Sequence, residues 1–126
     1  MNKKEVKILI CEDESIIAMD LSSTINRLGY IVTSIVKTAG ELLQKTENDK
    51  PDIIISDIKL QGENTSLDAI KFISNKYKIP VIFLSGILNA AEITSNMSIN
   101  PCYHITKPFA PTSLKEIIEI SISEKK

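Results

Sequence analysis

Five short apolar runs, each separated from the next by a stretch with a different periodicity, constrain this chain more than any other feature. They are VKILIC (6–11), YIVTSIV (30–36), DIIIS (52–56), VIFLS (81–85) and YHIT (103–106), all rich in Val and Ile and most flanked by acids, Pro or Gly. Runs of this length and composition predict strands. Between the first two, Ile17, Leu21, Ile25 and Leu28 recur at helical spacing, and Gly29 supplies a C-terminal stop. Thr38 followed by Glu41 predicts a capping box for a short second helix through Leu42 and Leu43 that ends before Pro51. Leu67, Ile70, Ile73 and Tyr77 trace a third helix closed by Pro80, and Asn89 with Glu92 opens a weaker fourth around Ile93 and Met97. After Pro111, Leu114, Ile117, Ile118 and Ile122 make a fifth. Strand and helix alternating five times predict a parallel sheet, because parallel strands need crossover connections and the crossovers place helices on both faces.

At 126 residues and 14.0 kDa, with 43% hydrophobic residues, the chain is sized for one domain spanning 1–126. Fifteen basic against sixteen acidic side chains leave a formal charge of -1, so bulk electrostatics points neither to nucleic acid nor to a membrane surface. Cys11 and Cys102 stand outside any CxxC or Cys/His ligand spacing, and NKKEVK after Met1 is no apolar signal. The expectation is a cytoplasmic chain, with Cys11 packing as a small apolar residue and no Cys11–Cys102 disulfide.

In an open parallel sheet, ligands bind beyond the carboxyl ends of the strands, so the residues after each strand belong together. The first strand ends in Glu12-Asp13, the third in Asp57, the fourth in Ser85 and the fifth in Lys107. Carboxylates crowded together repel one another and persist where a hard dication such as Mg²⁺ bridges them. A lysine beside them can pair with a phosphoryl oxygen and a hydroxyl can donate to another, a combination suited to phosphoryl chemistry. Each residue also has a plainer reading. Glu12, Asp13 and Glu14 are acids favourable at a helix N-terminus, which is the better account of Glu14; Asp57 is a loop acid, Ser85 a turn residue and Lys107 a solvated charge.

Taken in order, CEDE after the first strand, ISDIKL around the central Asp, FLSG after the fourth strand and ITKPF after the fifth closely resemble the receiver domain of two-component response regulators. The likeness covers nearly the whole chain, and the 28 positions from Asp57 to Ser85 and 22 from Ser85 to Lys107 also match. KLQGENTSLDAI is similar to a receiver variant associated with sensor histidine kinases. The resemblance implies a flavodoxin-like, doubly wound (βα)5 fold with strand order 2-1-3-4-5. It implies that Asp57 takes a phosphoryl group from a phosphohistidine of a sensor kinase or phosphotransfer protein. Asp13, Glu12, Asp57 and the backbone carbonyl of Lys59 would hold Mg²⁺. Lys107 and Ser85 would contact the phosphoryl oxygens, and the face of the fourth helix, fifth strand and fifth helix would dock partners or dimerise. Lys107-Pro108 is expected to be cis. No output domain is expected after the fifth helix, and the domain is not expected to be a turnover enzyme.

The chain departs from the family's usual pattern at His104 and at Thr65-Ser66, while Lys59 and Ile87 fall at positions that differ among receivers. The aromatic switch position three before the lysine holds His104, a smaller and protonatable ring, which predicts a weakened or pH-sensitive readout. Lys59 and Ile87 occupy the positions that govern phosphoryl lifetime; Ile87 cannot orient water, so slow self-dephosphorylation is expected. Thr65 and Ser66 stand where many relatives carry Asp-Gly. Three other functions compete. A phosphohydrolase of the haloacid dehalogenase kind wants a second Asp where Lys59 stands. A flavodoxin-like cofactor binder wants a Ser/Thr/Gly-rich loop where EDES stands. A degenerate receiver, acting as a docking module without phosphorylation, has usually lost an acid or the lysine, and here all are present. Ile120, off its stripe, is a candidate partner surface.

Overall fold

A computed structural model of the protein describes residues 5–57, 65–85, 102–106 and 110–123. Five parallel strands, β1 (Lys7–Cys11), β2 (Ile31–Val36), β3 (Ile53–Asp57), β4 (Val81–Ser85) and β5 (Cys102–Thr106), form one sheet in the order β2-β1-β3-β4-β5. Four helices are described, α1 (Ser15–Arg27), α2 (Ala39–Asp49), α3 (Thr65–Tyr77) and the C-terminal helix α4 (Pro111–Ser123), the fifth expected from sequence. The weaker helix expected around Asn89 to Met97 lies outside the described residues, as does the Lys107-Pro108 bond.

The sheet separates two cores. On one face, Ile8, Ile10, Ile53, Ile55, Ile82 and Leu84 pack against Leu21 and Ile25 of α1 and Leu114 and Ile118 of α4. On the other, Leu9, Cys11, Ile54 and Phe83 pack against Leu42 of α2 and Ile70 and Ile73 of α3. Side chains that alternate between two buried faces are apolar on both, which is why the central runs read as unbroken Ile and Leu rather than as an alternation.

The helix ends follow the sequence signals with local changes. Gly29, at φ +99°, closes α1: its N–H donates to the Asn26 carbonyl at 3.0 Å and that of Tyr30 to the Ile25 carbonyl at 3.2 Å, a pairing that needs a left-handed residue. Thr38 caps α2 by accepting the Glu41 N–H at 3.1 Å. The return bond of the expected capping box differs, because the Glu41 carboxylate accepts the N–H of Lys37 at 2.8 Å, one residue before the cap. Ile17 and Tyr77, both assigned to buried stripes, are each 37% exposed: each sits at the border of its helix's buried face. Thr65 and Ser66, at the place where many relatives carry Asp-Gly, are the first two residues of α3.

Strand β2 carries a bulge that its sequence does not announce. Ile8 pairs with Val32 but Leu9 pairs with Ser34, so Thr33 is an extra residue. Strict alternation from Ile31 would aim Val36 at α1. With Thr33 inserted, Val36 instead joins Leu9, Cys11 and Leu42, while Ile35 aligns with Ile10 on the α1 face.

Candidate functional site

The strand register assembles the site. Cys11 pairs with Ser56, so Glu12 and Asp57 each stand one residue beyond that pair on neighbouring strands, roughly 4.8 Å apart in the sheet. Asp57 pairs with Leu84, one residue before Ser85, and Ser85 pairs with Thr106, the residue before Lys107. The parallel ladder therefore brings the backbones of Glu12, Asp57, Ser85 and Thr106 to one edge, the carboxyl end of the sheet, from four adjacent strands. Lys59, Ile87 and Lys107 lie outside the described residues.

Glu12 is buried, 3% exposed. Its N–H donates to the Val36 carbonyl at 3.0 Å, extending the β1–β2 ladder past the last strand residue. Its Oε2 accepts the N–H of Glu14 at 3.0 Å, which folds the loop back over the Glu12 side chain and turns the chain into α1. Asp13 and Glu14 are exposed. Glu14 is the N-cap of α1, extended at φ −96° and ψ 116°, and its carbonyl accepts from Ala18 at 2.9 Å. An acid there faces the positive end of the helix dipole.

The donor set suits a hard cation. Glu12 and Asp13 offer carboxylate oxygens, whereas the thiol-bearing Cys11 is turned into the α2/α3 core, so the loop presents no soft ligand. His104, exposed, pairs with Phe83 and stands two residues before the end of β5 on the α2/α3 side of the sheet.

Lys37 was not singled out from sequence. It follows β2 directly, and its Nζ donates to Ser15 Oγ at 2.9 Å, at the first residue of α1. The available signal was its position: it is the residue after the second strand, on the same sheet end as the acids.

The chain matches the response regulator receiver domain over residues 8–119. It is 32% identical over 113 residues to the phyllosphere-induced regulator PhyR of Methylorubrum extorquens, covering 89% of this chain and 42% of that protein. Chemotaxis protein CheY1 of Helicobacter pylori is 29% identical over 119 residues, 91% of this chain and 95% of its own. The anti-anti-sigma factor PhyR from Bartonella quintana, a crystal structure, superposes with a TM-score of 0.81 at 30% identity over 96% of this chain and 49% of that one. The chain thus spans less than half the length of either PhyR and about half that of the curated relatives it matches first. With the five-stranded 2-1-3-4-5 sheet and a family match over nearly all of its length, the chain belongs to the receiver domains of two-component response regulators.

Proposed function

We propose that Asp57 is the phosphoacceptor of this receiver and that Glu12 and Asp13, with Asp57 and the carbonyl of Lys59, hold Mg²⁺. The observation that carries the reading is the register: two consecutive acids after β1 and the last residue of β3 meet on neighbouring strands at the carboxyl end of the sheet. An Asp57 carboxylate oxygen attacks the phosphorus of a phosphohistidine, a P–O bond forms, and the P–N bond to the imidazole breaks. Bound Mg²⁺ supplies neutralisation of the phosphoryl oxygens in a loose transition state. Glu12, fixed by its bonds to Val36 and Glu14, holds the loop so that Asp13 faces outward. Lys107 pairs with a phosphoryl oxygen and Ser85 donates to another.

The response passes to the face of the fourth helix expected from sequence, β5 and the C-terminal helix α4; His104 of β5 takes the place of the usual aromatic residue, and Ile120 of α4 is 44% exposed. Likeness to PhyR, named an anti-anti-sigma factor in Bartonella quintana, supports a protein as the downstream partner, and membership of the receiver family supports a sensor kinase or phosphotransfer protein as the donor. Residues 1–126 are read as one cytoplasmic receiver unit that is modified rather than turning over a substrate. Among the described residues no helix is long and apolar enough to cross a membrane. Incubation with acetyl phosphate and Mg²⁺, then intact mass, tests this: wild type gains a phosphoryl adduct and Asp57→Asn does not. An adduct that persists in Asp57→Asn, or none in wild type even with its kinase, rejects Asp57.

A further inference from the structure

The acids of the site are not the only charges at that end of the molecule. Two bonds tie the corner after β2 to the corner after β1, and a third fixes that corner to α2. The Glu12 N–H donates to the Val36 carbonyl at 3.0 Å, the Lys37 N–H to the Glu41 carboxylate at 2.8 Å, and Lys37 Nζ to Ser15 Oγ at 2.9 Å. Ser15 is two residues past Asp13, so their Cα atoms are within about 7.6 Å. A unit positive charge is thereby anchored beside Glu12, Asp13 and Glu14, with its backbone fixed from one side by α2 and its ammonium held from the other by α1.

We infer that Lys37 is an electrostatic positioning residue of the phosphoryl site: its ammonium offsets the mutual repulsion of the three acids before metal binds and thereby weakens their hold on Mg²⁺. The inference rests on the assignment of Glu12 and Asp13 to the metal. The Ser15 bond is solvent-exposed and its own contribution is small, so the charge, not the bond, carries the effect. A cation in the corner beside a dication acts through the intermediate dielectric of a protein surface, and its effect is cut by salt beyond a screening length of about 8 Å in physiological salt.

Calorimetric titration of Mg²⁺ into wild type, Lys37→Arg, Lys37→Met and Lys37→Glu provides the test, with Asp13→Asn as control. Expected are an Arg variant within about twofold of wild type, a Met variant binding about threefold tighter and a Glu variant about tenfold tighter, with the spread closing in 1 M salt. Looser binding in both Met and Glu variants would show a purely structural anchor and overturn the inference. Equal affinities across the series, with binding lost only in Asp13→Asn, overturn Lys37 alone. A wild type that takes up no Mg²⁺, or an Asp13→Asn that retains it, overturns the metal assignment and this inference with it.

Discussion

The two ends of the same sheet differ in how their acids are grouped. At the amino end, Asp52 and Lys7 close on each other: the Lys7 N–H donates to Asp52 Oδ2 at 2.8 Å and the Asp52 N–H donates to the Lys7 carbonyl at 2.7 Å. Next to them, Asp49 accepts from Ser34 Oγ at 2.7 Å, and its carbonyl from Lys7 Nζ at 3.4 Å. There the carboxylates stitch β1, β2, β3 and α2 together, and their oxygens are spent inside the protein. At the carboxyl end, three acids follow one strand, one is buried, and its Oε2 accepts the N–H of Glu14 at 3.0 Å. At the amino end the acids accept from backbone and side-chain donors of the fold; at the carboxyl end Glu12 also accepts a backbone N–H, but its crowding with Asp13 and Glu14 costs stability.

That contrast can be broken by experiment. Asp13→Asn is expected to weaken Mg²⁺ binding on the order of a hundredfold or more, since even groups behind a metal ligand are worth ten- to a hundredfold. Its denaturant midpoint should hold or rise, and a clear fall would erase the distinction between the two ends. Asp52→Ala should do the reverse, losing about 1–2 kcal/mol of unfolding free energy through a broken charge-assisted bond while Mg²⁺ affinity stays put. Thr46, on α2 and belonging to neither end, buries a hydroxyl that has no hydrogen-bond partner among the described residues. Thr46→Val should stabilise by about 0.5–1 kcal/mol in equilibrium unfolding, because the desolvation cost of that oxygen disappears.

The smallest effect concerns Tyr30, which leads into β2 at the amino end. Its partial burial, and then the Glu119 carboxylate, raise its pKa above the ordinary 10.0. The neutral phenol is thus favoured by folding: stability is intact below pH 10 and declines as pH rises from there through the folded value. Tyr30→Phe should flatten that alkaline limb of the stability profile. An unchanged slope in the variant would remove Tyr30 from the account.

Strand positions were readable because β1, β3 and β4 are buried on both faces, which leaves a run of Ile, Leu and Val, whereas the strand order followed only from the resemblance to receiver domains. That Glu12 and Asp57 meet at the carboxyl end of the sheet was readable because parallel topology gathers strand ends, a rule that needs no side-chain detail. What sequence did not give was contact across loops. The Lys37–Ser15 bond joins residues 22 positions apart, and nothing in either neighbourhood encodes it. The tie between Asp52 and Lys7 spans 45 positions, and Asp52 read simply as the first residue of a strand. Two helix ends also defied the usual signal. Lys50 at φ 51° and Lys78 at φ 58° take the left-handed conformation where glycine is expected, each followed within two residues by a proline that forbids the helix to continue.

The Thr33 bulge bears on how this protein survives at high concentration. IVTSIV is a six-residue edge segment with strong β propensity, no charge and no proline, the composition of a strand that recruits copies of itself into fibrils. Natural edges are commonly defended by lysine, proline or a break in the ladder, and β2 has the third alone. One inserted threonine therefore serves as a gatekeeper: a strand freed of it would present a regular, sticky border to every neighbouring molecule.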